Sequence, residues 1–176
     1  MSAGRKFLIA AAAVLLAAAV LYYPFKHRFS KRAPALINSV HAGKSVVLYF
    51  VNEEGNLVGL DRQIVSGVTV LDDIRAIITE ESSPQKKSGL LNAIPAGVSV
   101  RNVFIDDKRC VYIDFERALT ERHGGGTQGE LLTLEALKKT IAANYPELDF
   151  VKVLVEGKEI ASLAGHISTR GQLKVR

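Results

Sequence analysis

The sequence has a single cysteine, Cys110, among its 176 residues. One thiol excludes a disulfide framework within the chain, and it excludes a zinc site built on two or more cysteines. Proline and glycine, at five and 14 residues, are too few for a collagen-like or linker-like chain. With 48% hydrophobic and 23% charged residues, the composition is that of a globular protein, and the length favours one domain.

Acidic residues are absent from positions 1–32, which contain six Lys and Arg. Positions 33–176 contain 17 Lys and Arg against 18 Asp and Glu. The formal net charge of +5 therefore describes a basic N-terminal segment and not a basic domain. A nucleic-acid-binding face on the folded part loses its support for this reason.

One long hydrophobic run lies in this basic segment, with no charge from position 7 to 23. About 17 residues is the lower limit for a helix that crosses a bilayer, and tyrosines followed by basic residues are typical of a membrane interface. We therefore predict an N-terminal transmembrane anchor over residues 1–25, with anionic headgroups near the basic residues at 26–32. The alternative is a cleaved signal peptide, with its cleavage site at the alanines of 17–19.

The charges on the two flanks leave the orientation of this anchor open. Two basic residues precede the run and four follow it, so the positive-inside count alone places the domain in the cytoplasm. A short basic tail at the N-terminus favours the opposite orientation, with the tail in the cytoplasm and the domain outside.

The remaining chain divides into a basic, flexible tether at 26–44 and one domain at 45–173. Thr69 is a helix N-cap before a stripe of apolar residues, and Pro146 ends a second helix. The strands are predicted at 45–51, 57–64, 98–105, 109–115 and 150–155, a last extended piece at 160–167, and the helices after Thr69 and at 131–145. We therefore expect an α+β fold, with one mixed β-sheet of about four to six strands and two helices packed on one face.

Patterns of catalytic and metal-binding residues are scarce. The adjacent carboxylate pairs fall at turns and helix ends, the four histidines lack metal-site spacing, and no G-x-S-x-G elbow is present. A glycine-rich run at 123–130 precedes a helix, where backbone N–H groups can bind phosphate. It lacks the lysine of a P-loop, and Glu130 would repel an anion, so a flexible helix-entry loop is the interpretation. We predict no catalytic residue, no metal and no cofactor, and hence no enzyme.

Two polar residues stand out in apolar surroundings. Asp114 ends the strand V-Y-I-D-F, where it is either a site carboxylate or a strand-terminal residue that accepts backbone hydrogen bonds from the next turn. His166 follows Gly165 and is interpreted as a residue in a loop of special conformation.

Five segments in a fixed order carry a family resemblance. They are VVLYFVNEEGNLVGLDRQI at 46–64, LLNAIPAGVSVRNVFI at 90–105, RCVYIDFERAL at 109–119, the helix, proline and strand of 129–158, and LAGHIS at 163–168. Together they resemble the GerM domain of sporulation and spore-germination proteins, over about residues 45–173. One departure is the run from Ser168 to Arg170, where the family often has an acidic residue and a proline.

The resemblance implies a membrane-anchored domain on the extracytoplasmic side, acting by protein–protein interaction or assembly in the cell envelope, without catalysis or cofactor. Asp114, Gly165 and His166 fall on family motif positions to which no chemical role is attached. One alternative is a module that binds a small envelope ligand, such as a peptidoglycan fragment, through the loop at 121–130. Another is an envelope hydrolase that uses Asp114 with His123 or His166.

Overall fold

A computed structural model describes residues 43–85 and 89–176 of the chain. The predicted anchor at 1–25 lies outside these residues, as does nearly all of the predicted tether at 26–44. Within the described part, no helix combines the length and the apolar character needed to cross a membrane.

Residues 43–85 and 89–176 form two sheets, and the first has three antiparallel strands in the order β2–β1–β3. β1 (Gly43–Asn52) and β2 (Leu57–Val65) form a long hairpin, and β3 (Leu90–Leu91) pairs with the last two residues of β1. Alternate side chains of β1 are buried, as the two-residue period of a strand requires. These buried residues are Val46, Leu48 and Phe50.

The second sheet is mixed. It contains β4 (Val100–Ile105), β5 (Cys110–Phe115), β6 (Phe150–Val155), β7 (Lys158–Glu159) and β8 (Leu173–Lys174). The order is β4–β5–β6–β7, and β8 also pairs with β6. β5 and β6 run parallel and are joined by the long crossover of residues 116–149, and the other pairs are antiparallel.

In the part of the chain that the structure describes, three helices accompany the sheets: α1 (Val70–Glu81), the single turn α2 (Ala118–Glu121) and α3 (Thr127–Asn144). α1 begins with a capping box, in which the Thr69 hydroxyl accepts the N–H of Asp72 and the Asp72 carboxylate accepts the N–H of Thr69. The predicted N-cap at Thr69 is therefore confirmed.

Both long helices contact both sheets, because α1 packs on β1 and β4 while α3 packs on β1 and β6. The result is one hydrophobic core that continues from sheet to sheet. Its fully buried members include Phe50, Ile77, Ile113, Leu137 and Val151.

The α+β class is confirmed, but the prediction of one sheet with both helices on a single face is wrong. A side chain of α3 occupies the edge of β1 that a further strand would need. The Asn144 amide accepts the N–H of Val47 at 3.0 Å and donates to its C=O at 2.7 Å. Val47 is therefore not available to a strand on this edge, where β3 pairs only with Val51 and Asn52.

The extended piece predicted at 160–167 forms no strand. Backbone N–H groups of this stretch bind a carboxylate of α3 instead of a neighbouring strand. The last strand of the chain is β8, farther along.

Candidate functional site

One buried carboxylate, that of Glu130 in the first turn of α3, holds the loop at 163–168. Its Oε1 accepts the N–H of His166 at 2.8 Å and lies 2.9 Å from the Nδ1 atom of the same residue. Its Oε2 accepts the N–H groups of Leu163 at 3.2 Å and Ile167 at 3.1 Å. The side chain of Glu130 has no exposed surface, whereas the His166 side chain is 47% exposed.

The electrostatics of Glu130 follow from these contacts. Burial raises the pKa of the carboxyl group, but hydrogen bonds from the backbone of Ile167 and His166 and from the His166 ring outweigh it and lower the pKa to about 2. The positive end of the α3 dipole favours the same negative charge. The Glu130 carboxylate is thus bound by backbone donors of the loop at 163–168.

The loop has the special conformation expected around His166. Gly165 has a φ of +102°, which a residue with a side chain rarely adopts. Its N–H donates to the Ser162 hydroxyl at 2.7 Å. Gly165 therefore allows the turn that directs the His166 N–H toward Glu130.

Asp114 lies at the buried end of β5. Its Oδ1 accepts the N–H of Gly157 at 2.7 Å, and its Oδ2 lies 3.8 Å from the guanidinium of Arg101. Glu156 and Gly157 form the two-residue turn of the β6–β7 hairpin, with positive φ at both positions. Asp114 thus accepts a backbone hydrogen bond, but from the turn after the neighbouring strand β6, 43 positions later, and not from the turn that follows its own strand.

The two histidines and Asp114 have separate partners. His123 places Nε2 3.0 Å from the Thr133 hydroxyl, and its Nδ1 accepts the N–H of Gly125 at 3.1 Å. His166 contacts Glu130 instead. In the parts of the chain that the structure describes, no hydrogen bond or ion pair joins Asp114 to either histidine, which the hydrolase alternative would require.

Comparison with known families classifies the chain. Residues 47–161 match the family Germane, described as sporulation and spore germination, and this range is well over half of the sequence. The chain belongs to the Germane family. The resemblance to GerM domains seen in the sequence is confirmed. Asp114 and Glu130 lie inside the matched range of this Germane domain, and the loop at 163–168 follows it.

Solved GerM domains have a similar fold. The first GerMN domain of the sporulation protein GerM from Bacillus subtilis has a TM-score of 0.62 and 16% identity, over 74% of this chain and 97% of that domain. The tandem GerMN domains of the same protein have a TM-score of 0.59 and 16% identity, over 76% of this chain and 46% of theirs. At this identity the likeness concerns the fold. No curated protein matches the sequence.

A small cleft of the Germane domain lies beside the glycine-rich run. It has a volume of about 190 Å³, and its lining includes Arg122, His123 and Gly125. Burial lowers the pKa of His123, although the charge of Glu130 opposes the shift. The Thr133 hydroxyl donates to the C=O of Ala93 at 2.6 Å, so it accepts from the imidazole and fixes Nε2 as the protonated nitrogen.

A second buried acid, Glu81, lies at the end of α1. The Thr140 hydroxyl donates to its Oε1 at 2.9 Å, and among the described residues its Oε2 has no hydrogen-bond partner. Burial raises the pKa of Glu81 to about 8, against the hydrogen bonds from Thr140 and the backbone of Tyr49. The carboxyl group is therefore largely protonated at neutral pH.

Lys152 is a buried cation at the centre of β6. Its ammonium lies 3.0 Å from the Glu159 carboxylate and 3.4 Å from the C=O groups of Thr169 and Gly171, and it also bonds that of Arg170. This one side chain fixes the segment that leads into β8.

Sequence reasoning missed the roles of Glu130, Glu81 and Lys152. An acid in the first turn of a helix, an acid in the last turn and a lysine in a strand are all common at surfaces. The one local signal concerned Lys152, which lies between two valines in V-K-V. The two-residue period of a strand does not show whether such a lysine is buried or exposed. In the described residues, no group of three or more His, Cys, Asp and Glu is placed to hold a metal ion.

Proposed function

We propose that this Germane domain is anchored by residues 1–25 on the extracytoplasmic side of the cell membrane. It acts there by protein–protein contacts in the assembly of the cell envelope, during sporulation or germination. The observation that carries the proposal is the family match over residues 47–161. The uncharged run at 7–23 and the basic residues after it support the anchor.

The polar residues of the domain support a role in binding rather than chemistry. Asp114, Glu130 and Lys152 each bind backbone groups of the chain itself. Such contacts fix the shape of loops, and a fixed shape lowers the entropy cost of binding a partner.

The side of the membrane is tested with two reporters fused through a linker after Arg176. One reporter enzyme is active only outside the cytoplasm, and the other fluoresces only inside it. We expect activity from the first and none from the second. Leu16→Arg, which interrupts the uncharged run, serves as the matched control and should abolish export. A bright cytoplasmic reporter with inactive enzyme would overturn the extracytoplasmic placement.

Assembly is tested on the full chain in detergent by sedimentation, and in cells by cross-linking followed by identification of the cross-linked envelope proteins. We expect either self-association or a defined envelope partner. A chain that stays strictly monomeric and cross-links to no envelope protein would overturn the assembly role while leaving the anchor intact.

A second candidate function is binding of a small envelope ligand, favoured by the cleft lined by Arg122 and His123. Retention of the chain on purified peptidoglycan at several salt concentrations, and its loss in Arg122→Ala, would support this candidate. Equal retention of the variant, or no retention at any salt concentration, would exclude it.

A further inference from the structure

The stretch from the end of β2 through the loop to the start of α1 exposes three valines within six residues. Val65 is 67% exposed, Val68 89% and Val70 48%. Residues 65–70 read VSGVTV and contain no charge. These three valines, here called the valine patch, lie close together in the sequence, whereas the other large exposed apolar residues of the described chain are far apart. Those residues are Leu91, Phe104 and Leu131.

The loop that carries the valine patch is well bonded. The Asp73 carboxylate accepts the Ser66 hydroxyl at 3.0 Å and the Gly67 N–H at 2.7 Å, and its other oxygen accepts the Lys44 ammonium at 2.7 Å. A Cβ atom on Gly67 would come within 2.2 Å of the Asp72 Cβ, so the backbone packs closely against α1. The polar groups thus face the domain, and the valines are left facing outward.

The position of the valine patch shows which surface it could meet. Gly43, where the described chain begins, pairs with Val65. Residues 1–42 therefore join the domain beside the patch. If residues 1–25 form the proposed anchor, the residues between 26 and 42 can span about 60 Å at most. The patch thus lies at the end of the domain where the preceding chain enters it.

We propose that the valine patch inserts into the interface of the bilayer that anchors the domain, so that lipid is its partner. This inference rests on the proposed function, because the anchor supplies the proximity. An uncharged apolar loop tip gains free energy when it leaves water for the headgroup and acyl boundary. Three valines would bind a membrane weakly from solution, but a tether gives them a high effective concentration at its surface. The domain would then stand on the membrane in one orientation.

The sequence contains no tryptophan, so Val68→Trp introduces a single fluorophore of that kind. Leu91→Trp is the matched control, because Leu91 is 66% exposed and pairs with Val51 at the opposite end of β1. The full chain is reconstituted in phosphatidylcholine and phosphatidylglycerol vesicles with lipids brominated on the acyl chain. Circular dichroism confirms that both variants are folded.

We expect the emission of Val68→Trp to shift to shorter wavelength and to be quenched by brominated lipid at least threefold more than that of Leu91→Trp. Equal quenching of the two variants, with the vesicles still retaining the chain after an alkaline wash, would overturn this inference and leave the anchor standing. Loss of the chain from washed vesicles would overturn the proposed anchor, and the inference with it. Acrylamide quenching of the tryptophan in Val68→Trp gives a third outcome. If the tryptophan is shielded from acrylamide to a degree that depends on protein concentration and not on lipid, the patch makes a protein contact and the inference is overturned.

Discussion

A single carboxylate decides where the loop at 163–168 lies. A buried charge is tolerated only when hydrogen bonds replace its lost hydration, and Glu130 receives them from the backbone of that loop. A glutamine at this position would place its NH₂ group against backbone N–H donors, so that donors would face donors.

Glu130→Gln is expected to lower the free energy of unfolding by about 2–3 kcal/mol, since it leaves buried polar groups unpaired. The released loop should also let trypsin cleave sooner after Arg170. Denaturant unfolding and timed proteolysis measure the two effects. Glu135→Gln, which removes a partly exposed acid paired with Lys138 on the same helix, is the control. Wild-type cleavage rates in Glu130→Gln would contradict the assigned role.

Glu130 also makes stability depend on pH in the acid range. Its folded-state pKa of about 2 is below the ordinary value of 4.5, so its contribution is fully present above pH 4.5 and is lost as the pH falls toward 2. This contribution amounts to about 3 kcal/mol. Unfolding free energies between pH 5 and pH 2.5 should therefore fall less steeply in Glu130→Gln than in the wild type. Parallel pH profiles would show that the carboxylate does not carry this dependence.

Glu81 has the opposite pH dependence. Its folded-state pKa of about 8 lies above the ordinary 4.5, so the folded chain keeps a proton that the unfolded chain has released. Stability then falls between pH 4.5 and pH 8 by up to about 1.4 kcal/mol per pH unit, and this loss is complete above pH 8.

Glu81→Gln removes this titration. We therefore compare the free energy of unfolding of Glu81→Gln with that of the wild type at each pH. The difference should shift in favour of the variant by about 3 kcal/mol from pH 5 to pH 8. Urea unfolding followed by circular dichroism at both pH values measures the difference, with Glu80→Gln as the neighbouring control. The same relative stability at both pH values would show that Glu81 ionises normally in the fold.

At the scale of elements, a helix replaces a strand at the second edge of β1. Asn144 bonds Val47, and farther along the same edge Ala136 packs against Val51. A helix rises about 1.5 Å per residue and a strand about 3.4 Å per residue. The eight-residue step from Ala136 to Asn144 in α3 therefore covers nearly the same length as the four-residue step from Val47 to Val51 in β1. The helix thus protects an edge that would otherwise be open to pairing with another chain.

Asn144→Ala should destabilise the fold by about 1–3 kcal/mol, because it leaves the N–H and C=O groups of Val47 without their partner. Hydrogen exchange at the Val47 amide should accelerate more than at Leu48, which faces Leu60 of β2 and serves as an internal control. Asn144→Asp should restore a partner for the N–H group only and give an intermediate exchange rate at Val47. Equal acceleration at both amides in Asn144→Ala would indicate general loosening instead.

Elements defined by local signals were predictable from the sequence, and those defined by distant side chains were not. The β-branched runs indicated β1, β2, β5 and β6, and Thr69 indicated the start of α1. The stretch at 160–167 has strand-like residues, but Glu130, 33 positions before Leu163, takes its backbone donors. The amide that occupies the edge of β1 at Val47 belongs to Asn144, 97 positions later. No local pattern contains such pairings. Asp114 was found by its apolar setting, and its partner Gly157 was not.

For the whole molecule, one core spans both sheets, so the sheets should unfold together. Leu137 of α3 is fully buried in that core. Leu137→Ala should lower the unfolding free energy by about 2–5 kcal/mol. Exchange of slow amides in both sheets, such as those of Leu48 and Val153, should report the same loss. A loss confined to one sheet would mean that the two sheets unfold separately. Ala142→Gly on the same helix then shows whether weakening of α3 alone accounts for that loss.

The first strand of the described chain is also the central strand of its sheet, with β2 on one side and β3 and α3 on the other. First elements often lie at an edge, where they fray and can be peeled away. Here any pulling force transmitted through the preceding residues would enter at Gly43 and act at once on the strand with partners on both sides. The fold would resist such tension through the whole length of β1, which pairs with β2 from Gly43 to Val51.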